Sequence, residues 1–153
     1  MTDYPTTGSA TVEVAVSAAA AWALVGDVTR IGEFSPECKR VEWTSGSELA
    51  VGNMFRGFNE RPDYQWDVEC ELTEVTDGAS FTYVVPPGFA HATSWSFAVE
   101  ETDSGARITQ SFHAPMLALP EVYPGKIEGR CAELQAAIET TTSAIKDALE
   151  SQR

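Results

Sequence analysis

The segment 126–150 constrains the fold of this chain more than any other. Ile127, Cys131, Leu134, Ile138, Thr141, Ile145 and Leu149 recur at steps of three and four. That is the period of one face of an α-helix, sustained over about six turns. The opposite face carries Glu128, Glu133, Glu139, Thr140, Lys146 and Asp147, which meet water and rule out a membrane span. At 1.5 Å rise per residue such a helix is roughly 37 Å long. A stripe of that length needs a large apolar surface to press against, and the strands before it must supply one. Ala137, Ala144 and Ala148 flank the stripe. Small side chains there leave the helix short of the volume it covers, which predicts that it closes a cavity besides packing on a core.

Upstream, residues 11–16 alternate apolar and polar as a first strand does. Ser17 is placed to cap a short alanine-rich helix over 18–25, ended by Gly26, and 28–34 predicts a second short helix stopped at Ser35-Pro36. From Cys38 onward the pattern is antiparallel strand, at about 38–44, 53–59, 64–75, 79–85, 91–101 and 106–114. Arg61-Pro62-Asp63, Asp77-Gly78, Pro86-Pro87-Gly88 and Asp103-Ser104-Gly105 supply hairpin chemistry between them.

These turns set registers. A two-residue turn at Asp77-Gly78 puts Leu72 opposite Tyr83. A tight turn at Asp103-Ser104 puts Trp95 opposite Phe112, Phe97 opposite Gln110 and Val99 opposite Ile108. A loop at 86–90 pairs Phe81 with Trp95 and Tyr83 with Thr93. A four-residue loop at 60–63 sets Gly57 opposite Trp66 and turns Phe55, Gly57 and Asn59 to the same face. One face then holds Trp66, Val68, Cys70, Leu72, Phe81, Tyr83, Val85, Trp95, Phe97, Val99, Ile108 and Phe112. The other holds Glu69, Glu71, Thr73, Thr82, Glu100, Arg107 and Thr109. The fold class is therefore α+β: a curved seven-stranded antiparallel sheet gripping one long helix, with two short helices after the first strand.

The length of 153 residues fits a single domain, 1–153, with an ordered core of about 10–150. A net charge of −13, from 10 basic against 23 acidic residues, repels phosphate backbones and anionic headgroups and so disfavours nucleic-acid and membrane partners. Cys38, Cys70 and Cys131 have no metal or redox spacing and read as reduced residues of a cytoplasmic protein. The apolar run 14–26 imitates a signal-peptide core, but Asp3 and Glu13 precede it and no basic residue comes before Arg30.

Ala21-Trp22 through Asp27, Ser35-Pro36, Trp43, Gly52, Phe55, Gly57 and Asn59, followed by Trp66 and Trp95 on later strands, resemble the SRPBCC superfamily, which includes START lipid-transfer domains and polyketide cyclase/dehydratase-like proteins. The resemblance covers about residues 10–150. It implies the helix-grip fold and a deep apolar cavity between sheet and last helix. No catalytic motif of a characterised member transfers residue by residue, and the fold serves carriers and enzymes alike.

The expected ligand-binding cavity is lined by Phe55, Gly57, Asn59, Trp66, Phe81, Tyr83, Trp95, Phe97, Gln110, Phe112, Leu134 and Ile138. Its inward polar groups are Asn59, Tyr83, Thr93 and Gln110, which are costly to bury without partners. His91 and His113 are the only histidines. The expected register points them to opposite faces, so no metal is expected. Nor is a cofactor, because P-loop, dinucleotide and nucleophile-elbow motifs are missing. Two functions of different class follow. The first is binding or transport of a hydrophobic small molecule such as a lipid, an isoprenoid or a polyketide. The second is a polyketide cyclase/aromatase or dehydratase using Tyr83, His91 or Tyr123 as acid or base. The inward face carries no strong charged pair, which favours binding.

Overall fold

A computed structural model describes residues 6–62, 64–118 and 129–151. Seven strands form one antiparallel sheet in the order β1-β7-β6-β5-β4-β3-β2. They are β1 (Thr7–Val14), β2 (Cys38–Ser45), β3 (Met54–Arg61), β4 (Tyr64–Thr76), β5 (Ser80–Val85), β6 (Thr93–Thr102) and β7 (Gly105–His113). Helix α1 (Ala18–Val25) and a 3₁₀ turn (Val28–Glu33) follow β1. A second 3₁₀ turn (Pro115–Ala118) follows β7, and α2 (Arg130–Ser151) lies in the curve of the sheet. The helix-grip expectation holds.

Local chemistry explains the short elements. The Ser17 hydroxyl accepts from the Ala20 N–H at 3.1 Å, and the Gly26 N–H returns to the Trp22 carbonyl at 2.7 Å, closing α1 at both ends. Asp27 caps the 3₁₀ turn by accepting from the backbone and hydroxyl of Thr29. The first strand begins four residues earlier than expected, at Thr7 rather than residue 11. Gly8-Ser9 lacks strand propensity, but the strand pairs with β7 from Thr7 opposite His113 to Val14 opposite Ala106. Tertiary pairing overrides the local signal here. The helix expected from residue 126 is described from Arg130. Ile127 and the other residues of 119–128 lie outside the described residues.

The β6–β7 register is the expected one, with Trp95 opposite Phe112, Phe97 opposite Gln110 and Val99 opposite Ile108. Leu72 does face Tyr83, by a route the sequence does not announce. Thr76 pairs with Ser80, so the turn holds three residues, and a bulge between Leu72 and Glu74 takes up the extra residue. Two registers differ from expectation, each by two residues. Tyr83 faces Trp95 and Phe81 faces Phe97, because residues 91 and 92 belong to the loop, where the Ala92 N–H closes a turn on the Phe89 carbonyl at 3.1 Å. Gly57 faces Val68, and Asn59 faces Trp66, because β3 and β4 pair out to Arg61 opposite Tyr64. A shift of two leaves every side chain on its expected face.

β1 is an edge strand, and α2 covers it. Gln135 brackets Ser9, accepting from its N–H at 3.0 Å and donating to its carbonyl at 2.8 Å. Lys146 donates to the Glu13 carbonyl at 2.6 Å, and Glu150 accepts from the Ala15 N–H at 3.0 Å. These side chains satisfy backbone groups that an open edge would leave to water or to another chain. Gly8 permits the approach: a Cβ there would lie 2.4 Å from the Phe112 ring and 2.5 Å from Gln135 Oε1.

The core divides along α2. Ile145 and Leu149 belong to one buried cluster with α1 residues Ala21, Leu24 and Val25 and with Phe81 and Phe97. Leu134 and Ile138 belong to a smaller cluster with Ala10, Phe112, Ala114, Leu117 and Cys131. No helix among the described residues is long and apolar enough to cross a membrane.

Candidate functional site

Between the inner face of β2–β7 and the N-terminal half of α2 lies a cavity of about 390 Å³. Its wall takes Phe55, Gly57, Asn59, Trp66, Tyr83, Trp95 and Gln110 from the sheet and Leu134, Ala137, Ile138 and Thr141 from α2. Met116 and Leu117 contribute from the second 3₁₀ turn. Small residues keep the space open. A Cβ added at Gly57 would meet only Cys38 Sγ at 3.7 Å and Val68 Cγ2 at 3.8 Å, both ordinary contacts. Thr141 turns its hydroxyl back to the Ala137 carbonyl at 2.8 Å and so presents its methyl-bearing side without an open polar demand.

Three aromatic residues expected on this wall lie elsewhere. Phe81 is wholly buried between the edge of Trp22, with ring centroids 6.0 Å apart, and Phe97 at 5.5 Å. α1 fills the space in front of both rings. Phe112 packs on Trp95 at 5.4 Å and belongs to the cluster under Leu134. The inward face was read correctly, but nothing in period-two alternation separates the part of it that α1 covers.

The polar lining is distinctive. Asn59, Tyr83, Thr93 and Gln110 all line the cavity, and none makes a side-chain hydrogen bond to a described residue. Gln110 is 6% exposed, with Oε1 buried and unpartnered. Burying an amide in that state costs about 1–3 kcal/mol. Burial pushes the Tyr83 phenol well above its ordinary range, so it stays protonated and offers an O–H. Burial likewise raises the Cys38 thiol and pushes Cys70 up to about 12. Both thiols line the wall beside Gly57 as soft, uncharged groups.

The charged residues of the lining are ion-paired. Arg130 donates to both Glu37 carboxylate oxygens at 2.8 and 2.9 Å, and Arg61 pairs with Glu133 at 2.7 Å. Arg130 also lies 3.6 Å from Glu133, so one chain of ion pairs ties the first turn of α2 to the β2 and β3 ends. Tyr64, 62% exposed, stacks on Trp66 at 5.3 Å beside this clasp. Sequence reading missed Glu37, Arg61 and Arg130, since partners 93 residues apart leave no local trace.

His91 sits in the β5–β6 loop with its ring edge-on to Phe89 at 5.7 Å, off the cavity wall. The expectation that His91 begins a strand is corrected: β6 starts at Thr93. His113 ends β7, exposed, opposite Ser94. Among the described residues no group of three or more His, Cys, Asp or Glu is arranged to hold a metal ion. Tyr123 lies outside the described residues.

The sequence model described as polyketide cyclase / dehydrase and lipid transport matches residues 5–151. The chain belongs to this family. Its architecture is similar to that of the polyketide-cyclase-like protein Cgl2372 from Corynebacterium glutamicum, at 26% identity and a TM-score of 0.68, over 95% of this chain and 92% of that one. It is also similar in fold to the di-domain ARO/CYC StfQ from the steffimycin biosynthetic pathway, at 14% identity and a TM-score of 0.72. That match takes 97% of this chain but 51% of StfQ. Major latex-like protein 151 from Panax ginseng shares the fold at 13% identity and a TM-score of 0.60, over 91% of this chain and 98% of that one. No curated protein matches the chain in sequence. For a polyketide cyclase / dehydrase family member, a ligand-binding or cyclase role in general follows.

Proposed function

We propose that the chain binds a hydrophobic small molecule, such as a lipid, an isoprenoid or a polyketide-like compound, in the cavity between sheet and α2, and acts on it as a carrier. One observation carries this reading: an apolar cavity of about 390 Å³ contains neutral polar side chains without partners among the described residues. Pockets for small molecules are mostly apolar with a few polar groups that fix orientation. The charged lining residues Glu37, Arg61 and Arg130 are each engaged in an ion pair, so none stands as an uncompensated acid or base on the wall.

The family description and the likeness to StfQ keep a second reading open, a cyclase, aromatase or dehydratase acting in the same cavity. Of the three groups proposed for it, Tyr83 lines the cavity, and His91 does not. A phenol whose pKa is raised by burial can donate to a ligand carbonyl but is a poor proton acceptor in its dominant state. Aldol chemistry needs a base as well, and this favours the carrier.

Uptake of Nile red, followed by its fluorescence, tests the cavity. Wild type should take up the dye, and Gly57→Leu should lose uptake while melting cooperatively within a few degrees of wild type. A wild type that takes up no dye, together with a Gly57→Leu variant that melts much lower, identifies a filled core and overturns the reading. Mass spectrometry of organic extracts from purified protein separates the two functions. Recovery of an added ligand unchanged supports a carrier, and conversion to a cyclised or dehydrated product supports the enzyme.

A further inference from the structure

The strand ends that line the cavity all lie at one end of the sheet. Cys38 opens β2, Arg61 closes β3, Tyr64 opens β4, Val85 closes β5 and Thr93 opens β6, and antiparallel pairing sets these five side by side. Arg130, the first residue of α2, lines the cavity with them. The other directions are closed. The strands are hydrogen-bonded one to the next from β1 to β2, the Gln135 bracket on Ser9 shuts the seam between α2 and β1, and α1 with its phenylalanines fills the far end. Tyr64 lines the cavity and is 62% exposed, so this end reaches water.

Among the described residues, two ties join the first turn of α2 to the strands across the cavity from β1. Arg130 holds Glu37 at 2.8 and 2.9 Å, and Glu133 holds Arg61 at 2.7 Å. Glu133 is not part of the lining and its side chain is 45% exposed, so the second tie runs from the cavity wall out to solvent. Glu37 is a fixed post. Its carbonyl accepts from the Glu60 N–H at 2.8 Å, and its own N–H donates to the Ser35 hydroxyl at 3.2 Å. The helix turn is the part that can yield. Leu134 and Ile138 behind it line open volume, and a helix end with little packed beneath it opens at low cost.

We propose that the Glu37–Arg130–Glu133–Arg61 chain is the gate of the cavity: ligand passes between the first turn of α2 and the ends of β2 and β3, and the ion pairs part to admit it. This rests on the binding reading above. The same pairs close the empty and the filled cavity, so the gate sets the speed of exchange and leaves affinity nearly unchanged. A ligand shifts only an equilibrium between states that it binds differently. Salt screens the pairs and therefore speeds entry and exit together.

Stopped-flow mixing with Nile red at several dye concentrations reads the entry rate from the slope and the exit rate from the intercept. In wild type both rates should rise about fivefold between 20 mM and 500 mM NaCl, the scale on which exposed ion pairs hold, with Kd changed less than twofold. Glu37→Gln should raise both rates about tenfold at low salt and lose the salt response. Arg61→Gln, at the more exposed pair, should raise both about threefold, and it holds the test should Glu37→Gln not fold. Gln135→Leu loosens α2 on the β1 side and should leave both rates as in wild type. Rates that ignore salt and both gate variants overturn the proposal and leave the cavity reading standing. A rise confined to the exit rate, with Kd rising in step, also overturns it, by showing that these residues hold the ligand itself. So does a Gln135→Leu variant as fast as Glu37→Gln, which would put the passage at the β1 seam or in a general loosening of α2. Wild type that takes up no dye overturns the cavity reading and the gate with it.

Discussion

The two halves of α2 carry the same stripe and meet different things. Ile145 and Leu149 in the C-terminal half are 3% and 4% exposed, and Leu134 and Ile138 in the N-terminal half are 7% and 1% exposed. Accessibility does not separate them. Beneath Ile145 and Leu149 lie α1 and a stack of phenylalanines. Beneath Leu134 and Ile138 lies open volume. The difference is made by eight residues of alanine-rich helix directly after β1, which plug one end of the gripped groove and leave the other end empty. A cavity here is a matter of where a small helix docks, and the long helix that roofs it carries no separate mark.

The largest effect expected from this contrast is at Phe81. Phe81→Ala removes a wholly buried ring from between Trp22 and Phe97 and should cost about 3–5 kcal/mol in chemical denaturation. A loss below about 1 kcal/mol would mean that the plugged end is no better packed than the cavity. Next comes the pair on α2 itself. Ile145→Ala should cost about 2–5 kcal/mol, and Ile138→Ala less than about 2, because part of the Ile138 side chain already faces space without partner atoms. Equal losses would erase the distinction between the halves.

The smallest effect at neutral pH is at Cys70, on the cavity wall. Burial lifts its thiol from 9.0 to about 12. Above pH 9 the unfolded chain releases this proton while the folded chain keeps it, so stability is full below about pH 9 and falls as pH rises toward about 12. Tyr83 acts in the same direction. Cys70→Ala should leave the pH slope of stability near pH 7 unchanged and should reduce the slope between pH 9 and pH 12 by up to one proton, about 1.4 kcal/mol per pH unit. An unchanged slope would place Cys70 in contact with water rather than on a dry wall.

Much of the fold was legible because its signals are local. The period of 127–149 marks α2, Ser17 and Gly26 mark α1, and hairpin residues mark most of the strand connections. The two register errors were both even, so the inward set survived them and carried Gly57, Asn59, Tyr83, Trp95 and Gln110 to the cavity wall. What failed depends on contacts distant in sequence. Phe81 and Phe97 left the wall because α1 docks over them, and Phe112 because it packs under Leu134. Glu37 and Arg130 meet across 93 residues, and neither has a motif around it. The bulge at Thr73 hid behind a turn one residue longer than expected, two deviations that cancel.

The seam between β1 and the rest of the molecule also sets an order of assembly. β2 to β7 form a meander in which each strand pairs with the next, so their contacts close over short loops. β1 has no such neighbour. Its partners are β7 and the side chains of α2, the Ser9–Gln135 bracket joining residues 126 apart. Loop-closure entropy delays pairings of that span, and during synthesis β1 is made long before either partner exists. The sequence TGSATVEV suits that wait: it is short, polar at every other position and carries glycine and serine in its first three residues, which makes it a poor template for strand addition. The cavity is thus completed only when the last helix is laid down: one face of α2 supplies Leu134, Ala137, Ile138 and Thr141 to its wall while Gln135, Lys146 and Glu150 on the same helix lock the first strand in place.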